Sequence, residues 1–281
     1  MNSRIAMLVR LQQFIILVVL ALLSSCSNLN VDYHMTTVQF ETPETRGKLW
    51  NGQAELAAQT THKVSLARAH ESYLLGFRAL HAGPTVESNV EVQSSTQVGV
   101  GAGLSVWKRI DIFFKSHAES TSMLGAKFQF YGTPEHEPEE GLKIAVLAAY
   151  GMGSEEETGD EFQSQESSLD FESMKATIEL EQSNFAFLVG HRSNEHFIIY
   201  SSTYYSHYDV DSHLSTGSGA QYDLSTWGDV YGTNVGIKWN TAWESRVKLM
   251  GKVEAGYSIA KLKQVEIHDM LSIGTTFGIH W

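Results

Sequence analysis

His207, Asp209, Asp211 and His213 alternate along one short stretch, with Ser215 following in the same phase. In an extended chain, side chains two apart project to the same side. Two imidazoles and two carboxylates on one face are plausible ligands for a divalent ion. The same run also describes a solvated strand end leading into a polar loop, the commoner meaning of such a pattern. His191 and His196 flank an expected turn, and His136 sits among Glu135, Glu137, Glu139 and Glu140; both read as solvated turns. The acidic stretch 155–161 lacks the ligand order and glycine of an EF-hand loop. There is no Gly-x-Ser-x-Gly elbow, no His-Glu-x-x-His and no phosphate-binding glycine loop. No residue is therefore assigned to catalysis, and no cofactor is expected. The last reactive group is one thiol, Cys26, the single cysteine of 281 residues.

The surroundings of Cys26 give it a role. Arg4 and Arg10 precede an apolar run from Phe14, which ends in Leu23-Ser24-Ser25-Cys26. A basic start, a short apolar core and small residues before a cut make a secretory signal. The core is about half the roughly 20 residues that a spanning helix needs. These residues resemble the lipobox of bacterial lipoproteins. The resemblance implies cleavage before Cys26, so that 1–25 is a signal peptide, and acylation of both the thiol and the new amino terminus. Lipoprotein-processing enzymes are the implied partners. Ser27 stands where aspartate favours inner-membrane retention in some of these proteins, so outer-membrane sorting is the implied destination.

At the other end, Leu271, Ile273, Phe277, Ile279 and Trp281 alternate with Ser272, Gly274, Thr276, Gly278 and His280. This is a strand with one apolar and one polar face. Ser272, Gly274, Phe277 and Ile279, with the closing Trp281, resemble the terminal targeting strand of bacterial outer-membrane barrels, with a spacing two residues longer than usual. The resemblance implies that Gly274, Phe277, Ile279 and Trp281 form an assembly strand, with outer-membrane lipid and the barrel assembly machinery as partners.

The elements between these ends read as strands. Val98, Val100, Ala102, Leu104 and Val106 alternate with Gln97, Gly99, Gly101, Gly103 and Ser105. Leu124, Ala126, Phe128 and Phe130 do the same, as do Tyr231, Val235, Ile237 and Trp239 against Gly232, Asn234, Gly236 and Lys238. A helix would scatter these residues around its surface. Met174, Ala176, Ile178 and Leu180 oppose Ser173, Lys175, Thr177, Glu179 and Glu181, and Ile198, Tyr200, Tyr204 and Tyr208 share a face. Val247, Leu249, Val253, Ala255 and Tyr257 are expected to face lipid, with Arg246, Lys248, Lys252 and Glu254 toward a lumen. Trp50, Trp107, Tyr131, Tyr150, Trp227, Trp239, Trp243 and Trp281 fall near strand ends, as an interfacial girdle would place them. The stretches 152–170 and 209–229 read as long surface loops. The alanine-rich stretch 51–70 leaves a helical turn open.

Removing the leader leaves 18 basic residues against 32 acidic ones. That balance disfavours nucleic acid, which requires a basic footprint. No apolar run after Cys26 approaches the length of a spanning helix, so a membrane-crossing chain must close into a barrel. The expected organisation is a signal peptide over 1–25, a lipidated tether over 26–47 and a barrel over 48–281. The fold class is all-β: an antiparallel transmembrane barrel of about 12 strands, with 10 as the alternative. The expected protein is a non-enzymatic outer-membrane lipoprotein, serving as a small channel, a surface-binding protein or a structural element of the envelope. Two alternatives remain: a soluble lipid-anchored periplasmic barrel or sandwich holding an apolar ligand, and a barrel enzyme acting on envelope lipids.

Overall fold

The computed structural model describes residues 24–74, 77–78, 85–87, 91–118, 120–158, 175–215, 221–241, 247–263 and 265–281. Residues 1–23 of the expected signal peptide, residues 159–174 and 216–220, Trp243 and Arg246 lie outside the described residues.

Alternation with period two runs through almost every segment, and almost every segment is a strand. Ten of them close a ring: β2 (Gly52–Leu74), β5 (Glu91–Trp107), β6 (Ile110–His117), β7 (Ser122–Tyr131), β8 (Gly141–Thr158), β9 (Lys175–Arg192), β10 (Phe197–Ser215), β11 (Gln221–Asn240), β12 (Lys248–Leu262) and β13 (Val265–His280). All neighbours are antiparallel, and β13 returns to β2 to complete the ring. β1 (Ser24–Thr36) lies outside the ring sequence, against the distal half of β2. Two short stretches, β3 (Phe77–Arg78) and β4 (Thr85–Glu87), also pair with β2.

The ring therefore has ten strands, and the expected count of 12 is corrected. Its strands are longer than anticipated. The stretch 51–74 is one strand, β2, with no helical turn, and β9 joins two segments that read separately. In β9 the outward residues change from Glu179 and Glu181 to Phe185 and Phe187. This reversal of polarity within one strand looks like a strand end in sequence.

The same reversal sets the direction in which these apolar rows point. Ala176, Ile178, Leu180, Tyr204 and Tyr208 point inward and are buried. Beside them, Glu179, Glu181, Asp209 and Asp211 point outward. Here the strands rise above the apolar belt, so water is outside and the dry core is inside. For the same reason most of 209–229 is not a loop: β10 continues to Ser215 and β11 begins at Gln221.

Lower down, the polarity is that of a membrane barrel. Leu56, Val100, Phe114, Leu124, Phe187, Ile199, Val235, Val253 and Phe277 are exposed on the outside. Val247, Leu249 and Tyr257 are exposed with them, while Lys252 and Glu254 are buried inside. Trp50, Trp107, Tyr131, Trp239 and Trp281 ring the end that carries the turns and the C-terminus. Tyr150, Tyr205 and Tyr257 mark the other border, and their hydroxyls donate to Glu181, Asp229 and Asp269 on the watery side. Tyr231 to Trp239 spans nine residues of β11, within the roughly 9–11 that a tilted spanning strand requires.

The closing seam pairs Gly274–His280 with Gln59–Gln53. Gly52 and Trp281 add a reciprocal pair of backbone hydrogen bonds, each 3.0 Å. Deleting Gly278–Trp281 removes almost half of this seam. An open edge in lipid leaves backbone groups unsatisfied, each at a cost of several kcal/mol. The truncated chain should fail to accumulate in the membrane fraction and lose heat-modifiable gel migration. Normal abundance with normal migration would show that the seam closes without these residues.

Candidate functional site: a lumen filled by the N-terminal segment

The segment expected to be a tether, 26–47, is part of the barrel. Its first part is β1. Beyond Thr36 the chain runs down the inside of the ring, and every residue from Tyr33 to Gly47 is buried. Left-handed backbone at Gly47 (φ 79°) and Trp50 (φ 69°) then turns the chain out of the lumen and into β2. Where β13 stops pairing, at Gln59, β1 takes over the free edge of β2 from Thr61 onward.

The upper part of this plug sits in an apolar core. Tyr33 and Met35 pack with Val64, Leu66, Ile178, Leu180, Tyr204 and Tyr208. The Tyr208 hydroxyl accepts from the Thr36 amide at 3.0 Å, and the Tyr204 hydroxyl donates to the Thr37 carbonyl at 2.6 Å. The lower part is held by charge. The Glu41 carboxylate lies 3.0 Å from Lys127 and 3.3 Å from Lys115. Glu44 receives both Nε, at 2.6 Å, and a terminal nitrogen of Arg192, with Lys143 3.8 Å away. Arg46 donates through its side chain to Asp111 at 2.9 Å and through its amide at 3.1 Å. Lys252 donates to the Phe40 carbonyl and to Glu55, both at 2.6 Å. Such two-point, charge-assisted pairing fixes geometry as well as supplying energy.

Wall and plug are shaped to one another. A Cβ on Gly274 would lie 2.3 Å from the Phe40 ring, and one on Gly103 would lie 2.5 Å from the Arg46 guanidinium. Gly274 is thus the seat of Phe40, while its strand-mates Phe277, Ile279 and Trp281 face outward and are exposed. A cavity of about 10 Å³ between Val38, Phe40, Phe113 and Lys115 is too small for more than one water.

The turn at 132–140 folds up to close the lower mouth. The Glu135 amide bonds the Thr45 carbonyl at 2.8 Å. Its carboxylate meets Lys238 at 2.5 Å and Asn240 at 2.8 Å. Burial favours the neutral acid, but Lys238, then His280 and Arg192, hold this carboxyl well below the usual carboxylate range. The acidic turn was read as solvated; Glu135 is instead buried at the lumen floor.

The other expected positions are placed as follows. His207, Asp209, Asp211 and His213 do share the outer face of β10, spread in single file. His207 bonds Asp229 at 2.7 Å and His213 bonds Asp223 at 2.8 Å, both on β11. Among the described residues, no three His, Cys, Asp or Glu side chains gather closely enough to hold a metal ion. The Cys26 backbone pairs with Ser72 at the loop end of the barrel. A hydroxyl and imidazoles do meet inside the wall: His62 Nε2 lies 3.0 Å from Ser258 Oγ, and its Nδ1 lies 3.1 Å from His268 Nδ1. Ser258 and His62 are wholly buried, so this relay offers no access to a substrate.

Sequence reasoning missed the plug. The one glycine of the inward row that bears on it is Gly103, whose missing side chain leaves room for the Arg46 guanidinium; Gly99 and Gly101 lie against His117 and Glu55 of the wall.

No family model matches this chain, and no curated protein does. Among solved structures it is similar to Ail, the attachment invasion locus protein of Yersinia pestis. That match has 12% identity over 83% of this chain and 98% of that one, with a TM-score of 0.30. It is similar to the outer membrane protease OmpT of Escherichia coli at 7% identity over 82% and 96%, with a TM-score of 0.34. Neisserial surface protein A gives 12% identity over 82% and 95%, with a TM-score of 0.23. At these scores the likenesses carry no argument about function.

Proposed function

We propose that this protein is an outer-membrane β-barrel lipoprotein that fills its own lumen with its N-terminal segment, and so serves as a closed, surface-anchored envelope protein. The observation that carries this reading is the course of residues 33–47 through a barrel whose outside is apolar between two aromatic borders. A soluble barrel would place that apolar face inward; here charged side chains are inside at the same level. The threading also supports a direction for the N-terminus. Barrels of this kind have short turns on the periplasmic side and longer loops outside. The turns and Trp281 lie at one end, and β1 reaches the other. A lipid on Cys26 would then enter the outer leaflet, where two acyl chains give stable anchoring.

The test is an epitope inserted between Ser27 and Asn28, with fatty-acid labelling of the parent and of Cys26→Ser. Antibody should stain intact cells, and labelled fatty acid should be found on the parent and absent from Cys26→Ser. Staining only after permeabilisation would place the N-terminus in the periplasm and overturn the direction of threading. Equal labelling of the two proteins would remove Cys26 as the anchor.

A further inference from the structure

We propose that the lumen wall behind the plug is an anion pathway, closed by the carboxylates of Glu41 and Glu44 and opened to small inorganic anions when residues 33–47 leave. The proposal rests on the barrel reading above and goes beyond the closed protein described there.

Four adjacent strands, β6 to β9, each turn one cation into the lumen: Lys115, Lys127, Lys143 and Arg192. Their side chains are between 0 and 10% exposed. The strand registers stagger them down the wall. Lys127 pairs across from Asp111 in β6, and Lys143 lies nearer the turn end, opposite Gly190, with Arg192 beyond it. This descending row runs the length of the charged half of the lumen. Asp111 is the acidic group of the same strands set beside it, and it is held by Arg46 of the plug; the other lumen acids, Glu55, Glu135 and Glu254, bond Lys252, Lys238 and Tyr200 outside the row.

What the row now holds is anionic oxygen. Glu41 bridges its upper two cations and Glu44 its lower two. Lys115 and Lys252 also take plug carbonyls, those of Gln39 and Phe40. The plug thus supplies from one chain the oxygens that a file of hydrated anions would supply in an open lumen. Without the plug the lumen is open to water, and a wall lined by this row of cations concentrates anions over cations. The plug takes two carboxylates and one guanidinium with it, which leaves the wall one charge more positive.

The plug also carries a mark of a second state. Phe40 has φ 52°, a left-handed conformation that is unfavourable for a non-glycine residue. It is held there by Gly274 and by the pull of Lys252 on its carbonyl. Strain maintained only by surroundings is characteristic of segments with an alternative position.

The experiment is single-channel recording in planar bilayers under a potassium chloride gradient, with heat-modifiable migration as the check of barrel folding. The parent should be silent. A chain lacking residues 33–46 should conduct, with a reversal potential on the chloride side of zero. Glu41→Lys/Glu44→Lys keeps the plug at full length while setting it against the cationic row, and it should open with the same sign. Adding Lys127→Gln and Lys143→Gln to the deletion should move the reversal potential toward zero. A cation-selective or non-selective deletion overturns the proposal. So does a silent one that still migrates as a folded barrel, and that result leaves the barrel reading standing. If the deletion does not fold, the charge-reversed protein decides by the same criteria. Loss of heat-modifiability in the parent would strike at the barrel itself.

Discussion

Replacing Glu44 with glutamine is expected to destabilise the plugged barrel by about 3–5 kcal/mol, the usual cost of leaving one partner of a buried ion pair unmatched. Glu44 and Arg192 both have side chains with no exposed surface, and the guanidinium reaches the carboxylate through two nitrogens. Glutamine keeps the shape of Glu44 and removes its charge. Arg192 would retain the carbonyls of Asn194 and Glu195, at 3.2 and 3.0 Å, but would lose its bound carboxylate. The ladder hydrogen bonds of the ring are untouched, so the loss should appear first as release of the plug. Limited proteolysis of the folded protein should cut within 33–47 in the variant and spare the parent, and the denaturant midpoint should fall at unchanged slope. Pairing the change with Arg192→Met removes the stranded cation, and part of the loss should return, as a double-mutant cycle measures. A single-variant effect below about 1 kcal/mol would mean that the pair behaves like an exposed one and does not hold the plug.

Much of the wall was legible in sequence because alternation records two different solvents on the two faces of a strand. In β12, Leu249, Val253 and Tyr257 face one way and Lys252 and Glu254 the other, and the structure keeps that division. In β9 and β10 alternation was equally clear but its direction was not. Ile178, Leu180, Tyr204 and Tyr208 form an apolar row that would suit lipid or a dry core, and the pattern does not say which. The answer lies in height above the belt, a property of the register between strands. The strand count suffered similarly: one 18-residue strand whose outer face passes from water to lipid reads as two shorter ones.

The lumen contents were less legible. Residues 33–47 lack sustained periodicity because they have no solvent face at all: both sides of this extended segment meet the wall. Glu41, Glu44 and Arg46 look like surface charges until Lys127, Arg192 and Asp111, each at least 65 positions away, are brought to them. Long-range pairing of this kind leaves no local spacing to find. Gly274 was singled out for a terminal motif, and its use in this fold is to admit the ring of Phe40.

Val253→Arg is expected to reduce assembly in the membrane more than Leu249→Arg does, by about 2–4 kcal/mol at mid-depth against roughly 0–1 kcal/mol near the border. Both side chains point outward, at 43% and 46% exposure. They differ in depth. Val253 sits between Ile237 and Thr275 in the middle of the belt. Leu249 pairs with Ile279, close to the aromatic end marked by Trp239 and Trp281. An arginine there can run its stem along the belt and keep its head in water. Lys252→Ser, one residue from Val253, changes the lumen face instead. Lys252 is 2.6 Å from buried Glu55 and bonds the Phe40 carbonyl. Its loss should leave insertion intact and expose the plug to protease, whereas Val253→Arg should lower membrane abundance and leave the plug of the assembled fraction protected. Abundance by fractionation and protection by proteolysis, measured on all three variants, separate an outer face solvated by lipid from an inner face solvated by the chain itself. Equal abundance of Val253→Arg and the parent would mean that this face does not lie against hydrocarbon.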